Sequence, residues 1–507
     1  MINQKIIISN KEFNLIEKEK KKGKKIVLCH GAFDLVHPGH ISHFEEAKSH
    51  GDILVVTVTA DSFIKKNLHS PYFNQSTRKK FLENIKLIDH VFVINDETAI
   101  PAIKKIKPNF YCKGIEYQKK DNIGNLKIEK KILAKNKGKL IFLGKNVQSS
   151  SKLISNKIFN LDNKNLENFL KKINFTKLEE IIEKVKKLKI VVIGETIIDH
   201  YTYVRTAGVS PKSNTLSCTE TQNQTMPGGS LATYKFLSSF IKNTKHVSIV
   251  NKKVFNKKDY SDVFKDSKDI LISEHYPKII KKRIVEGSND SAFRKILTLN
   301  EFFEKELSLI DESKILKKLK KYAVGADLVI IQDFGHGFFT KKIIDFLQKK
   351  IKKISINVQT NSLNYGYNII SNKFKRTDFF SLDERELELY VGKKKLNHEK
   401  SLKSLSKFLS SKKSFLTCGG KFSLMYSKNK FLKVPILNKK AVDTMGAGDI
   451  FHGMASVLSL VSNDDYLTLF MSQVAGAHAV EIIGNSNHPK LREIVETLKF
   501  YKSVIEK

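Results

Sequence analysis

The chain has 507 residues, of which 41% are hydrophobic and 28% charged, with 90 Lys and Arg against 52 Asp and Glu. That length calls for at least two domains, and the apolar share excludes a disordered or fibrous chain. The formal charge of +38 does not imply a specific nucleic-acid partner, because lysine is spread along the whole chain and runs such as Lys18 to Lys25 lack aromatics that could stack on bases. No run reaches the length of a membrane span, and the N-terminus lacks the pattern of a secretory signal. The four cysteines, Cys29, Cys112, Cys218 and Cys418, show no metal or redox spacing, and Cys29 and Cys112, in apolar strand-like runs, read as buried free thiols in a reducing cytoplasm.

In chain order, residues 1–23 read as a polar lead-in with an amphipathic helix from Lys11 to Lys22. From residue 24, buried strands at Ile26–Cys29, Ile53–Val58, Val91–Ile94, Phe110–Lys113 and Leu140–Leu143 alternate with helical stretches near 41–50, 77–88 and 98–107. This alternation predicts an α/β domain, a doubly wound parallel sheet, over 24–158. Between its first strand and first helix stands His30-Gly31-Ala32-Phe33-Asp34-Leu35-Val36-His37-Pro38-Gly39-His40. Pro38 suits a first helical turn. Free N–H groups at that helix start would face the crevice at the strand's carboxyl edge, with His37 and His40 able to donate to phosphates.

Residues 159–187 read as a linker followed by a helix, with Thr176 and Glu179 as a capping box. The apolar run Ile190–Gly194 then opens a second α/β domain over 188–507, with strands near 247–250, 328–332 and 354–358. The regions 207–225 and 279–300 predict a small β lid, including strands Ile280–Ile284 and Phe293–Ile296. Near the end, Asp443-Thr444-Met445-Gly446-Ala447-Gly448-Asp449 precedes the helical pattern Ile450, Met454, Val457, Leu458. Glycines there allow close backbone approach to a phosphoryl group, and Asp449 is placed to accept the proton of an attacking hydroxyl.

The His30–His40 stretch resembles the signature of cytidylyltransferase-like nucleotidyltransferases. Further matches follow in order at Asp61, Lys65 and Lys66, Arg78, Lys113-Gly114 and Ser149-Ser150-Ser151. The resemblance implies a Rossmann-like domain in which His37 and His40 are catalytic. Gly31, Phe33, Lys65, Lys66, Arg78, Lys113, Gly114 and Ser149–Ser151 would hold the nucleotide and its phosphates.

The Asp443–Asp449 stretch resembles the signature of ribokinase-like (PfkB) carbohydrate kinases, over about 188–490. By that resemblance Asp199, Gly228 and Gly229 meet the sugar, Gly419, Gly446, Ala447 and Gly448 meet the nucleotide, and Asp449 is the catalytic base. Asp333-Phe334-Gly335-His336-Gly337 is a further landmark, and Asp383-x-x-Glu386 stands where the family organises Mg²⁺ with Asn-x-x-Glu. Two departures concern the sugar: Ala232 replaces an Asn found in many relatives, and Asn357–Asn361 replaces an Asp-Pro-x-Gly type segment.

The pair of modules is similar to the bifunctional heptose kinase/adenylyltransferases of ADP-heptose and lipopolysaccharide synthesis, in reversed order. The resemblance implies a cytoplasmic, dimeric transferase that uses Mg²⁺ and ATP or CTP. Its partners would be a sugar phosphate and a nucleoside triphosphate, with no membrane. The alternative reading is a cytidylyltransferase for a polyol or sugar phosphate whose kinase-like domain binds sugar without catalysis.

Overall fold

The computed structural model describes residues 6–7, 10–64, 71–115, 125–144, 164–265, 269–287, 294–302, 306–360, 364–393, 396–437 and 441–505. Lys65, Lys66, Phe293 and Ser149–Ser151 lie outside them. The chain divides into two compact units, Met1–Asp162 with Lys499–Lys507, and Asn163–Leu498. No helix among the described residues is long and apolar enough to cross a membrane.

The first unit runs β1 (Ile6–Ile7), α1 (Asn10–Lys21), β2 (Ile26–Gly31), α2 (Pro38–Lys48), β3 (Ile53–Thr59), α3 (Gln75–Glu83), β4 (His90–Ile94), α4 (Ile100–Ile106), β5 (Phe110–Gly114), α5 (Asn125–Lys135) and β6 (Lys139–Leu143). Its sheet order is β1-β4-β3-β2-β5-β6, parallel except for the short edge strand β1, which the sequence reading missed. Ile26 and Leu28 of β2 enter one hydrophobic cluster, and Val27 and Cys29 enter the other. A period-2 strand buried on both faces is what helices on both sides of a parallel sheet require. Cys29 and Cys112 are buried neighbours on β2 and β5, whereas Cys218 of the second unit is exposed.

The strand order fixes where a ligand can enter. From β2 the chain steps to β3 and β4 on one side, then crosses to β5 and β6 on the other. The switch point therefore lies between β2 and β5, and the crevice opens at their carboxyl ends. Gly31 and Gly114 terminate those two strands.

The second unit begins with α6 (Lys164–Leu170), not foreseen in the sequence, and α7 (Leu178–Lys186). Phe169 of α6 packs its ring 5.0 Å from Tyr466. The expected capping box at Thr176 and Glu179 does not form. A 3₁₀ turn over Phe175–Lys177 precedes α7, and Asn174 accepts the Thr176 N–H at 3.2 Å, so Thr176 lies inside a turn rather than at a helix cap.

The strands that follow are β7 (Lys189–Gly194), β8 (Thr196–Val209), β9 (Leu216–Gly229), β10 (Asn243–Val247), β11 (Ile249–Asn251), β12 (Leu271–Ser273), β13 (Ile280–Glu286), β14 (Arg294–Glu301), β15 (Leu328–Asp333), β16 (Ile354–Val358), β17 (Phe379–Asp383), β18 (Lys413–Thr417), β19 (Phe422–Ser427) and β20 (Lys430–Pro435). Eight of them form a sheet in the order β10-β7-β15-β16-β17-β18-β19-β20. It is parallel through β18, and then β19 and β20 close it as antiparallel strands, so it is mixed where the sequence reading expected a parallel sheet. The lid is a four-stranded sheet, β14-β13-β8-β9, with strands longer than anticipated.

The helices that bear on the site are α8 (Ser230–Ser238), α9 (Glu384–Val391), α10 (His398–Phe408) and α11 (Ala447–Val461). Gly194, Asp333, Asp383 and Thr417 all stand at carboxyl ends of parallel strands. That edge is where open α/β sheets bind ligands.

Candidate functional sites

In the first unit, β2 delivers Gly31 into a turn whose Phe33 adopts φ +48, a left-handed conformation that is uncommon for an aromatic residue. The Phe33 ring fills the space beside Gly31, where a Cβ would stand 3.1 Å from it. It also packs on His40 and Phe44, with ring centres 5.4 and 5.3 Å apart. Strain of this kind persists where the surroundings over-determine it, and such places are commonly functional.

His37 is the N-cap of α2, and its Nδ1 accepts the Gly39 N–H at 3.1 Å. Burial holds its pKa below the ordinary value, so the ring is neutral and carries its proton on Nε2. The His37 and His40 rings lie 4.0 Å apart. The sequence reading expected free backbone N–H groups at this helix start. Instead, the Gly39 N–H is taken by His37 Nδ1 and the His40 N–H by the His37 carbonyl. Of the groups at this corner, the imidazoles are the ones suited to meet a phosphate.

Behind them, His30 bonds Thr57 Oγ1 at 3.0 Å, and burial lowers its pKa to about 4, leaving it neutral. Asp34 accepts the N–H groups of Tyr72 and Phe73 and so ties down the loop before α3.

Two residues expected at the phosphates are engaged otherwise. Arg78 is fully buried and donates to the carbonyls of Phe73, Ala32 and Thr59 and to Asp61 Oδ1. Its side chain welds the motif turn to β3 and α3 rather than reaching solvent. Replacing it with Met leaves three carbonyls without their donor, so Arg78→Met is expected to lower the unfolding free energy of the first unit by about 3 kcal/mol, read by urea denaturation. Lys113 donates to Glu129 Oε2 at 2.7 Å, a carboxylate that also caps Ala99. Gly114 remains at the crevice edge as the end of β5.

In the second unit, Gly446 is the N-cap of α11 with φ +77, and Gly448 has open space where a Cβ would stand. Asp449 follows in the first turn. It is 6% exposed, and its Oδ1 accepts from Gln359 Nε2 at 2.5 Å. Burial pushes its pKa up to about 7, against the opposing pull of Gln359 and the Lys281 charge. A carboxyl with that affinity for protons can take one from a hydroxyl at neutral pH.

Asp199 on β8 is buried and ion-paired with Arg283 of β13. Register sets Lys281 beside Asp199 and Arg283 beside Tyr201, so the lid turns two cations toward this acidic corner. A Cβ on Gly228 would stand 2.4 Å from Asp199 Oδ2, and one on Gly229 (φ +61) would stand 2.4 Å from the Glu195 carbonyl. Both positions therefore need glycine. Gly229→Ala is expected to destabilise the second unit by about 1–3 kcal/mol, seen as a lowered melting temperature. Glu195, raised to about 7 by burial and the nearby Asp333, accepts the N–H groups of Phe334 and His336 and so shapes the Asp333–Gly337 turn.

Asp383 and Glu386 form a capping box at the start of α9. Asp383 Oδ1 accepts the Glu386 N–H, and Glu386 Oε2 accepts the Asp383 N–H, both at 2.8 Å. Glu386 is buried, which holds its pKa well above the ordinary value. With these bonds made, the pair suits a hydrated Mg²⁺ held through water rather than a direct cage.

A cavity of about 460 Å³ is lined by Asp383, Thr417, Gly419, Ala447, Gly448 and Phe451, among others. It brings together four residues expected at the nucleotide or metal. A recess of about 620 Å³ elsewhere in this unit, lined by Lys353, Lys407, Lys428 and Ser410, contains no motif residue.

Lys281, Arg283 and Gln359 were not foreseen as members of this site, whereas His336 belongs to the Asp333–Gly337 landmark already marked in the sequence. Gln359 lies in the very segment that departs from the family pattern. His336 is 1% exposed, and neither ring nitrogen has a hydrogen-bond partner among the described residues.

Two family models match separate stretches of the chain. A cytidylyltransferase-like family model matches residues 28–155, and a pfkB family carbohydrate kinase model matches residues 300–480. The chain is 41% identical over 120 residues to "Bifunctional protein HldE" of Aliarcobacter butzleri, a stretch equal to 22% of this chain and 25% of that protein. A protein of the same description from Geobacter metallireducens is 34% identical over 117 residues, covering 23% and 24%. These matches cover the N-terminal part and span about a quarter of the curated relatives' length. Among solved structures, ribokinase of Thermotoga maritima aligns with 62% of this chain and 99% of its own, at TM-score 0.45 and 20% identity. Phosphofructokinase-2 of Escherichia coli gives 62%, 99%, 0.48 and 14%. The chain thus carries a stretch similar to the cytidylyltransferase-like family, followed by one similar to the pfkB carbohydrate kinases.

Proposed function

We propose that the chain is a two-site transferase that makes a nucleotide-activated sugar of the ADP-heptose kind. The observation that carries this is the presence, in one chain, of a paired-histidine helix mouth and of a buried carboxyl near neutral pKa at a glycine helix mouth. In the second unit, Asp449 takes the proton of a sugar hydroxyl as that oxygen attacks the γ-phosphorus of ATP, and the Gly446–Gly448 backbone faces the transferring group. Asp199 orients the sugar. In the first unit, a sugar-1-phosphate oxygen attacks the α-phosphorus, and pyrophosphate leaves. His37 and His40 donate to the phosphate oxygens as charge builds there. Asp383 and Glu386 would hold Mg²⁺ in the second unit, where the ion would supply neutralisation of phosphate charge. By resemblance, the sugar is a heptose 7-phosphate for the kinase and a heptose 1-phosphate for the nucleotidyl transfer.

One observation favours a second reading: Asp199 is already ion-paired with Arg283, and the Asp383–Glu386 carboxylates already serve a helix cap. In that reading the second unit binds sugar without phosphorylating it, and the first is a cytidylyltransferase. Incubating the protein with heptose 1-phosphate and ATP or CTP in parallel separates the two. Pyrophosphate release with ATP supports the first reading, and release with CTP alone supports the second.

A further inference from the structure

The cysteines show no metal spacing along the sequence, yet the fold gives one of them suitable neighbours. Glu384 opens α9, His398 opens α10, and Cys418 follows β18. One carboxylate oxygen, one imidazole nitrogen and the sulfur all lie within 4.8 Å of one another. His398 Nε2 is 2.7 Å from Glu384 Oε1.

We propose that Glu384, His398 and Cys418 form a site for a thiophilic divalent cation, zinc in type, in the wall of the 460 Å³ cavity. The inference stands whether or not that cavity takes a nucleotide. Sulfur, nitrogen and carboxylate oxygen are the donors zinc selects, and a tetrahedral ion sets its donors about 3.3–3.8 Å apart. Small side-chain shifts bring the three into that range. Three protein ligands leave a fourth position for water or a donor from the cavity, since Glu384, Thr417, Gly419 and Gly420 all line it.

The surrounding charges act in both directions. Lys421 lies 3.3 Å from Glu384 and opposes a dication, but it is 66% exposed and free to swing outward. Lys433 also bears on the thiol. Burial pushes Cys418 up to about 12, so without an ion the thiol is protonated, and the metal displaces that proton as it binds. The site would pin the starts of α9 and α10 to the β18–β19 turn.

The test is a titration of the full chain, freed of metal by chelation, with cobalt(II) followed by zinc(II). The expected result is one equivalent of cobalt producing a near-ultraviolet thiolate-to-metal absorption that zinc abolishes. Cys418→Ser should remove that absorption, whereas Cys218→Ser, which removes an exposed thiol, should keep it. His398→Ala should weaken cobalt binding at least about tenfold. Melting curves without metal establish that each variant is folded. If Cys418→Ser does not fold, His398→Gln and Glu384→Gln carry the test through the same weakening. An absorption that survives in Cys418→Ser, affinity unchanged in the His398 and Glu384 variants, or no absorption at saturating cobalt would overturn the proposal.

Discussion

Asp449→Asn is expected to lower phosphoryl transfer to sugar by about 10²–10⁴-fold, the range for removing a positioned general base. The substitution is close to isosteric, and the amide oxygen it introduces can still accept from Gln359 Nε2, so the start of α11 keeps its geometry. What disappears is the carboxylate that receives the hydroxyl proton. The pH dependence provides a separate check. Because burial raises Asp449 to about 7, the group is protonated and inactive below that pH and becomes competent above it. The kinase kcat/KM should therefore rise through an acid limb centred near pH 7, falling about tenfold for each further unit below it. The limb should be absent from the residual activity of the amide variant. A profile with its midpoint near an ordinary carboxylate value would show that Asp449 is solvated in the working enzyme. Nucleotidyl transfer should not change in this variant.

His40→Ala is expected to do the reverse, lowering nucleotidyl transfer by about 10²–10³-fold, the loss found on removing one preorganised donor from a site of developing charge. His40 also packs against Phe33, so a melting curve must accompany the rate. The His37 position separates structure from chemistry. His37→Ala removes both the ring donor and the cap on Gly39, costing about 1 kcal/mol of helix stability in addition to activity. His37→Asn retains a cap acceptor but lacks the imidazole N–H. If His37→Asn restores stability without restoring rate, the ring acts on the substrate. If it restores both, His37 is only a helix cap.

What could be read from the chain was mostly what is written contiguously. The apolar runs of β2, β3 and β7 announce buried parallel strands, and both helix mouths are continuous motifs whose glycines and histidines sit within a few residues of each other. Asp383-x-x-Glu386 was legible through the kinase resemblance, and the structure closes it into a capping box. The parts that were not legible depend on distant partners. Arg78 looks like a free cation until the turn at Ala32, the end of β3 and Asp61 converge on it. Lys113 is engaged by Glu129 from α5. Lys281 and Arg283 join the Asp199 corner only through the parallel register of β8 and β13, which no local pattern specifies. Asp443, the first residue of the second motif, takes a hydrogen bond from Tyr201 and an ion pair from Lys295, both supplied by lid strands.

The most direct measurement of the central claim is phosphorus NMR of the full chain with Mg²⁺, ATP and, in separate arms, heptose 7-phosphate and heptose 1-phosphate. An anomeric phosphate signal is expected in the first arm, and pyrophosphate with a new sugar–nucleotide diphosphate in the second. His40→Ala should silence only the second arm, and Asp449→Asn only the first. Loss of both signals in either folded variant, or neither signal in the unaltered protein, would contradict that claim.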